Sequence, residues 1–314
     1  MELASRGVIL VKKEATYGTD PAPTEVNAVV ATGISWKAQG EKVARNAAGP
    51  SMSPWAHRIG VRSAEISFDV DLRGFGSAYS AVNLPETDAL LRACGLAPTV
   101  VTTPGAEKVT YNPASTAHES CAIWFYDGGV LYKLAGCRGD VEFGLEVGKA
   151  GSAKFSMSAL FAKPATAVLV TPTWLNPTVQ PPVFLSGAFT LGAYAAVVSK
   201  LGLKMGNTIG KRMSANEATG VKEILITGRA PSGSVDPEME LIAAKDFFTE
   251  WLAGTPQAVL ATLGDTQYNR VKFSAPKAQY DSVALADRDG VRTLDLPFEC
   301  KRTSGDDEIQ ITFD

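Results

Sequence analysis

The chain has 314 residues, 45% of them hydrophobic and 20% charged, with 30 Lys and Arg against 33 Asp and Glu. That length suits two domains of ordinary size, and that composition excludes a disordered polymer. A formal charge of −3 leaves no basic footprint for gripping phosphates, which excludes a nucleic-acid binder of the usual kind.

Residues 1–31 read as an N-terminal arm. Met1 to Arg6 lacks the basic start and apolar run of a signal peptide. Gly7-Val8-Ile9-Leu10-Val11 is a short apolar run, and Thr16 to Pro23 is turn and extended chain. An arm outside a core must be pinned by something, often a neighbouring subunit.

Residues 32–162 read as a first β-rich domain. Strands are expected over 32–40 and 61–73, where Ile66, Phe68, Val70 and Leu72 alternate with polar residues. Between them Glu41 to Gly60 is a long loop rich in Gly, Ala, Ser and Pro, with Arg45, Pro50, Pro54 and Trp55. A loop of that length is functional or disordered more often than not. A helix follows over Glu86 to Leu96, opened by Pro85 and closed by Gly95. Two hairpins complete the domain: Cys121 to Tyr126 with Val130 to Leu134, and Val141 to Val147 with Lys154 to Phe161.

Residues 163–188, rich in Pro and Thr, read as an extended linker. Residues 189–314 then repeat the first domain. Ile34 falls on Leu201, Arg45 on Arg212, Arg62 on Arg229, Phe68 on Val235 and Asp69 on Asp236, each 167 positions apart. Further on Lys133 falls on Lys272, Gly151 on Gly290, Phe155 on Leu294 and Met157 on Leu296, each 139 apart. The first copy therefore carries about 28 extra residues in its middle, the difference 167 − 139. The second copy keeps a long loop, Met205 to Gly220 with Lys211 and Arg212, and a helix over Ala243 to Gly254. The expected fold is mostly β: two tandem sandwich or barrel domains, each with one short helix on its sheet.

Nothing in the chain assembles a reaction centre. Neither His57 nor His118 stands at metal-ligand spacing. Met205 to Arg212 imitates a phosphate loop, but Met205 replaces its first Gly and Arg212 its hydroxyl residue. Asp287-Arg288-Asp289-Gly290 is a hairpin turn rather than a calcium loop. There is no nucleophile elbow. No catalytic residue, cofactor or metal is expected, and Cys94, Cys121, Cys137 and Cys300 are expected to be reduced and buried. Carboxylates at Glu65, Asp69 and Asp71, and again at Asp236 and Glu238, lie in or beside strands. They are either an ordinary solvated face or a negative wall past which something slides.

Several stretches, in order, resemble the bacteriophage tail tube proteins, or major tail proteins, of the long flexible-tailed phages. They are Glu14 to Thr24, Ala89 to Leu96, Lys133 to Gly139, Ile226 to Ser234 and Thr303 to Glu308. The resemblance implies a virion structural protein whose subunits close into rings, with rings stacked into a tube for genome ejection. It implies tape-measure, tail-terminator and tail-tip partners, DNA only as passing cargo, no membrane binding, and assembly in the host cytoplasm. The usual member has one domain and forms hexamers; two domains per chain imply a trimeric, pseudo-hexameric ring, with the hexamer as the alternative. By position, ring stacking would fall on Arg45, Pro50, Pro54, Trp55, Lys211 and Arg212, and the lumen on Glu65, Asp69, Asp71, Asp236 and Glu238. The competing function is a tail-tip or decoration module that binds a receptor or carbohydrate.

Overall fold

A computed structural model describes residues 7–45, 47–185 and 187–314. It is mostly β, as the alternating pattern requires. The first half holds β1 (Gly7–Lys13), β2 (Ala28–Val29), β3 (Ala31–Val43), β4 (Arg58–Asp71), α1 (Asp88–Ala93), β5 (Leu96–Val101), β6 (Lys108–Pro113), β7 (Cys121–Asp127), β8 (Val130–Glu146) and β9 (Ser152–Leu160). After it come β10 (Ala165–Thr166), β11 (Phe189–Leu191), β12 (Lys200–Lys204), β13 (Asn207–Met213), β14 (Val221–Arg229) and β15 (Ser232–Val235). The chain finishes with α2 (Phe247–Ala253), β16 (Gln257–Leu263), β17 (Val271–Tyr280), β18 (Ala284–Arg288), β19 (Val291–Cys300) and β20 (Gln310–Phe313).

One antiparallel path runs through both halves. It goes β3–β4–β9–β8, crosses to β12, and continues β15–β19, where β18 and the end of β17 flank β19. The crossing is a five-residue ladder from Glu142↔Lys204 to Glu146↔Lys200. A second stitch lies at β20, which pairs β17 on one side and β6 on the other. Layers behind this path are β2–β1–β7–β8 in the first half and β11–β16–β17 in the second.

The repeat is visible in the ladders themselves. Ser35↔Ser67, Trp36↔Ile66 and Lys37↔Glu65 recur 167 positions on as Gly202↔Ser234, Leu203↔Gly233 and Lys204↔Ser232. The bulge recurs too, since Lys42↔Ile59 becomes Ile209↔Ile226. Beyond the helix the expected spacing needs correcting. Phe155 lies opposite Phe68 and Leu296 opposite Val235, so Phe155 corresponds to Leu296, 141 positions on, and Met157 to Phe298. A two-residue error preserves the side-chain face, which is why the apolar pattern did not reveal it. The extra segment of the first half is the β5–β6 hairpin, which the sequence reading left unassigned.

Alternation drives the burial. Ile66, Phe68, Val70 and Leu72 of β4 are buried, and Phe68 meets Phe155 at 5.8 Å between ring centroids. Phe143 of the first half packs on Phe273 of the second at 5.2 Å, and Tyr111 on Phe313 at 5.9 Å, so one core spans both halves.

Four expectations change. Residues 7–13, read as part of an arm, form β1, which pairs with β7 along its whole length and buries Ile9 and Leu10. The two strands expected over 130–147 are one, because Gly136, at φ +63°, lets β8 bulge instead of break. The loop expected over 205–220 is largely strand: β13 and β14 form a ribbon closed by a turn at 214–220. The first loop shrinks to 44–57, since β3 and β4 run beyond their expected ends.

Candidate assembly surfaces

The two hairpins built by the repeat are arms of the same register with different fates. In the first, β3 and β4 are continuous strands whose ladder runs from Ala31↔Val70 to Val43↔Arg58. In the second, the ribbon folds over between β12 and β13. Gly206 sits there at φ +63°, and a Cβ would lie 2.4 Å from Ala230 O. Pro231, next to the Ala230 that faces it, has no N–H for the ladder. The first arm has Gln39 and Ala64 at the matching places and stays in register as Gln39↔Ser63 and Ala38↔Ala64.

The folded second arm lies across the first half. Arg138, buried, donates from Nη1 to Ile224 O at 2.7 Å and Glu223 Oε1 at 3.0 Å. Tyr17 Oη accepts from Ile224 N at 2.6 Å. Asn207 donates to Cys94 O and Gly139 O at 2.7 and 2.9 Å, and its own N–H reaches Asp140 Oδ1 at 3.0 Å. Burial under the arm raises the Asp140 carboxyl above its ordinary range. At the base, Arg229 binds Asp306 at 2.5 Å and Glu308 at 3.1 Å, while Asp306 also accepts from Ser115.

The first arm ends in an exposed tip. Arg45 stands over the Trp55 ring at 5.5 Å, and Trp55 Nε1 donates to Ala47 O at 3.1 Å. Pro50 and Pro54 share this tip, with Met52 and Trp55 presented to solvent. Lys211 and Arg212 do not belong with them. They lie on β13, Lys211 donating to Ser63 Oγ at 2.8 Å and Arg212 paired with Glu223 at 3.5 Å.

The long sheet path has two unpaired edges among the described residues, β3 at one end and β18 at the other. Its polar face carries Glu65, Asp69 and Asp71. It is no negative wall, because lysines interleave. Asp69, Lys154, Glu142 and Lys204 lie opposite one another in successive strands, and Lys204 meets Glu142 at 3.2 Å. Lys200 likewise faces Glu146. Asp236 leaves the set, being buried and occupied: it accepts from Ser199 N at 2.9 Å and Lys200 N at 2.8 Å, and from Ser199 Oγ and Arg288. Glu238 pairs with Arg288 at 2.7 Å.

A family model described as phage tail tube protein matches residues 4–300. The chain belongs to the phage tail tube protein family. Comparison with curated proteins gave no match. As a tail tube protein it is a structural component of the virion tail that associates with itself in a tube.

The side chains with chemical potential in this tail tube protein serve the fold. His118 is hydrogen-bonded at 2.9 Å to Ala114 O, and His57 is exposed. All four thiols are free and buried, and burial pushes Cys94 well up and Cys300 up to about 12. Among the described residues no group of three or more His, Cys, Asp and Glu converges as a metal site. The sequence reading missed Arg138, Asn207 and Arg229, the residues that dock the second arm. Only Arg229 carried a signal, through its place in the repeat.

Proposed function

We propose that three copies close into a pseudo-sixfold ring, and that rings stack into the tube through which a phage genome leaves the capsid. The observation that carries this reading is a single sheet path, built of two repeating ladders, that ends, among the described residues, in an unpaired strand at each side. A sheet with two free edges is a template for further pairing, and head-to-tail contacts of one kind close into rings. The repeating units are taken as residues 32–162 and 189–314, with 163–188 crossing between them and 1–31 completing the first. A ring of six copies is the competing stoichiometry.

The tip with Arg45, Pro50, Pro54 and Trp55 reaches the adjacent ring. Glu65, Asp69 and Asp71, with the lysines between them, face the channel. A face of alternating sign gives passing DNA neither strong attraction nor strong repulsion. Tape-measure, terminator and tip proteins are the other partners, met during assembly in the host cytoplasm, and no membrane contact is involved. Averaged electron microscopy of the concentrated protein tests this. Stacked rings with a central channel and threefold symmetry are expected; sixfold rings would replace the stoichiometry, and monomers under all conditions would remove the tube.

A further inference from the structure

We propose that β18 of one copy pairs antiparallel with β3 of a second copy, in the register that this chain already uses between β8 and β12. The inference rests on the tube reading only in taking a second copy as the partner. It comes from the ladders. β12 holds the place of β3 in the second half, because Leu203↔Gly233 repeats Trp36↔Ile66. β18 holds the place of the end of β8. Glu142 and Phe143 face Lys154 and Ala153, whose counterparts 141 positions on are Asp295 and Leu294, and these face Ala284 and Leu285. The β8–β12 junction is therefore an internal copy of a β18–β3 junction that one chain cannot make with itself.

The register follows residue by residue. Phe143↔Leu203 becomes Leu285↔Trp36, Glu142↔Lys204 becomes Ala284↔Lys37, and Gly144↔Gly202 becomes Ala286↔Ser35. The side chains fit that assignment. Phe143 and Leu203 are each only 3% exposed and Phe143 packs on Phe273. Leu285, by contrast, is 62% exposed. The counterpart of Phe273 is Tyr132, which already touches Trp36 at 4.6 Å. Ile34, Trp36, Phe125 and Tyr132 line a cleft of about 360 Å³ along the free edge of β3, and Leu285 of the second copy enters it.

Exposed apolar side chains near the first arm and α2 agree with this junction. Ile226 of the folded arm packs on Gly95, at the end of α1. Its counterpart Ile59 is half exposed, and the counterpart of Gly95 is Gly254, at the end of α2. Leu252 and Trp251 of α2 are uncovered there, unlike the fully buried Leu90 and Leu91 of α1. The same junction brings these exposed apolar side chains of adjacent copies near one another.

Paired cysteines test the register. Ser35→Cys and Ala286→Cys are placed in one chain, whose native thiols are all buried, and the assembled protein is oxidised. A non-reducing gel should show a ladder of linked chains, ending at the closed ring. Ser35→Cys with Ala284→Cys is offset by two residues, about 7–8 Å across a diagonal, and should stay unlinked. A ladder from the offset pair, or none from the matched pair, overturns the register. Micrographs of the same samples separate the two failures: tubes without a ladder sink this inference alone, whereas no tubes and no ladder sink the tube reading with it. Leu285→Asp supplies a check that needs no new bond. Its melting temperature should match the parent while assembly is lost, and undiminished assembly would overturn the proposal.

Discussion

Asp236 shows how a residue's role is set by what surrounds it. From the sequence it is one more carboxylate near a strand; in the fold it holds the N–H groups of Ser199 and Lys200 where β12 begins. Asp236→Ala leaves those donors without a partner, and should lower stability by about 1–3 kcal/mol in urea denaturation. Asp307 is a second case. Backbone N–H groups of Ser304 and then Thr303 hold its carboxyl down to about 2. Its folded pKa lies below the ordinary value near 4, so its contribution is present above about pH 4 and lost as pH falls toward 2. Asp307→Asn should flatten the fall of the urea midpoint over that window. Neither role was legible in the sequence, because hydrogen-bond geometry has no periodicity to betray it. Burial of Phe68 and Ile66 was legible, since strict alternation dictates one face.

Between single residues and the whole chain, the two arms are the instructive comparison. Their register and bulge are the same, and the constant spacing of Arg45 with Arg212 and of Arg62 with Arg229 disclosed that. Their different paths turn on Gly206, which faces Ala230, and on Pro231 next to Ala230, whose joint effect depends on their meeting across a ladder. Gly206→Ala would place a Cβ 2.4 Å from Ala230 O in a left-handed backbone. We expect the second arm to detach, seen as faster proteolysis near residue 206 and a lower melting temperature. Deleting Ala44 to Pro54 should instead leave a folded protein that no longer polymerises, and tubes of normal length would remove the stacking role of that tip. The β5–β6 hairpin was signalled only as a length difference. Its pairing with β20, about 200 residues away, lies beyond any local pattern.

At the scale of the whole molecule, both the crossing at β8–β12 and the stitch at β20 join segments far apart in sequence. The repeat led to an expectation of tandem domains; in the structure one sheet path and one core run through both halves. Calorimetry should therefore show one unfolding transition for both halves, and Phe143→Ala, which strips the ring contact with Phe273, should lower it without splitting it, at a cost of about 3–5 kcal/mol. Two separated transitions would mean that the crossing contributes little.

The crossing has one more consequence, for the entropy of assembly. Each free body that joins a ring loses translational and rotational freedom, a cost on the order of several kcal/mol. Because β8 and β12 belong to one chain, every second junction of the proposed ring forms by folding, at the high local concentration that a shared chain imposes. Three bodies then have to meet where six would otherwise be needed. The concentration at which rings appear should accordingly rise steeply if the chain is cut within 163–188, even with every contact surface intact.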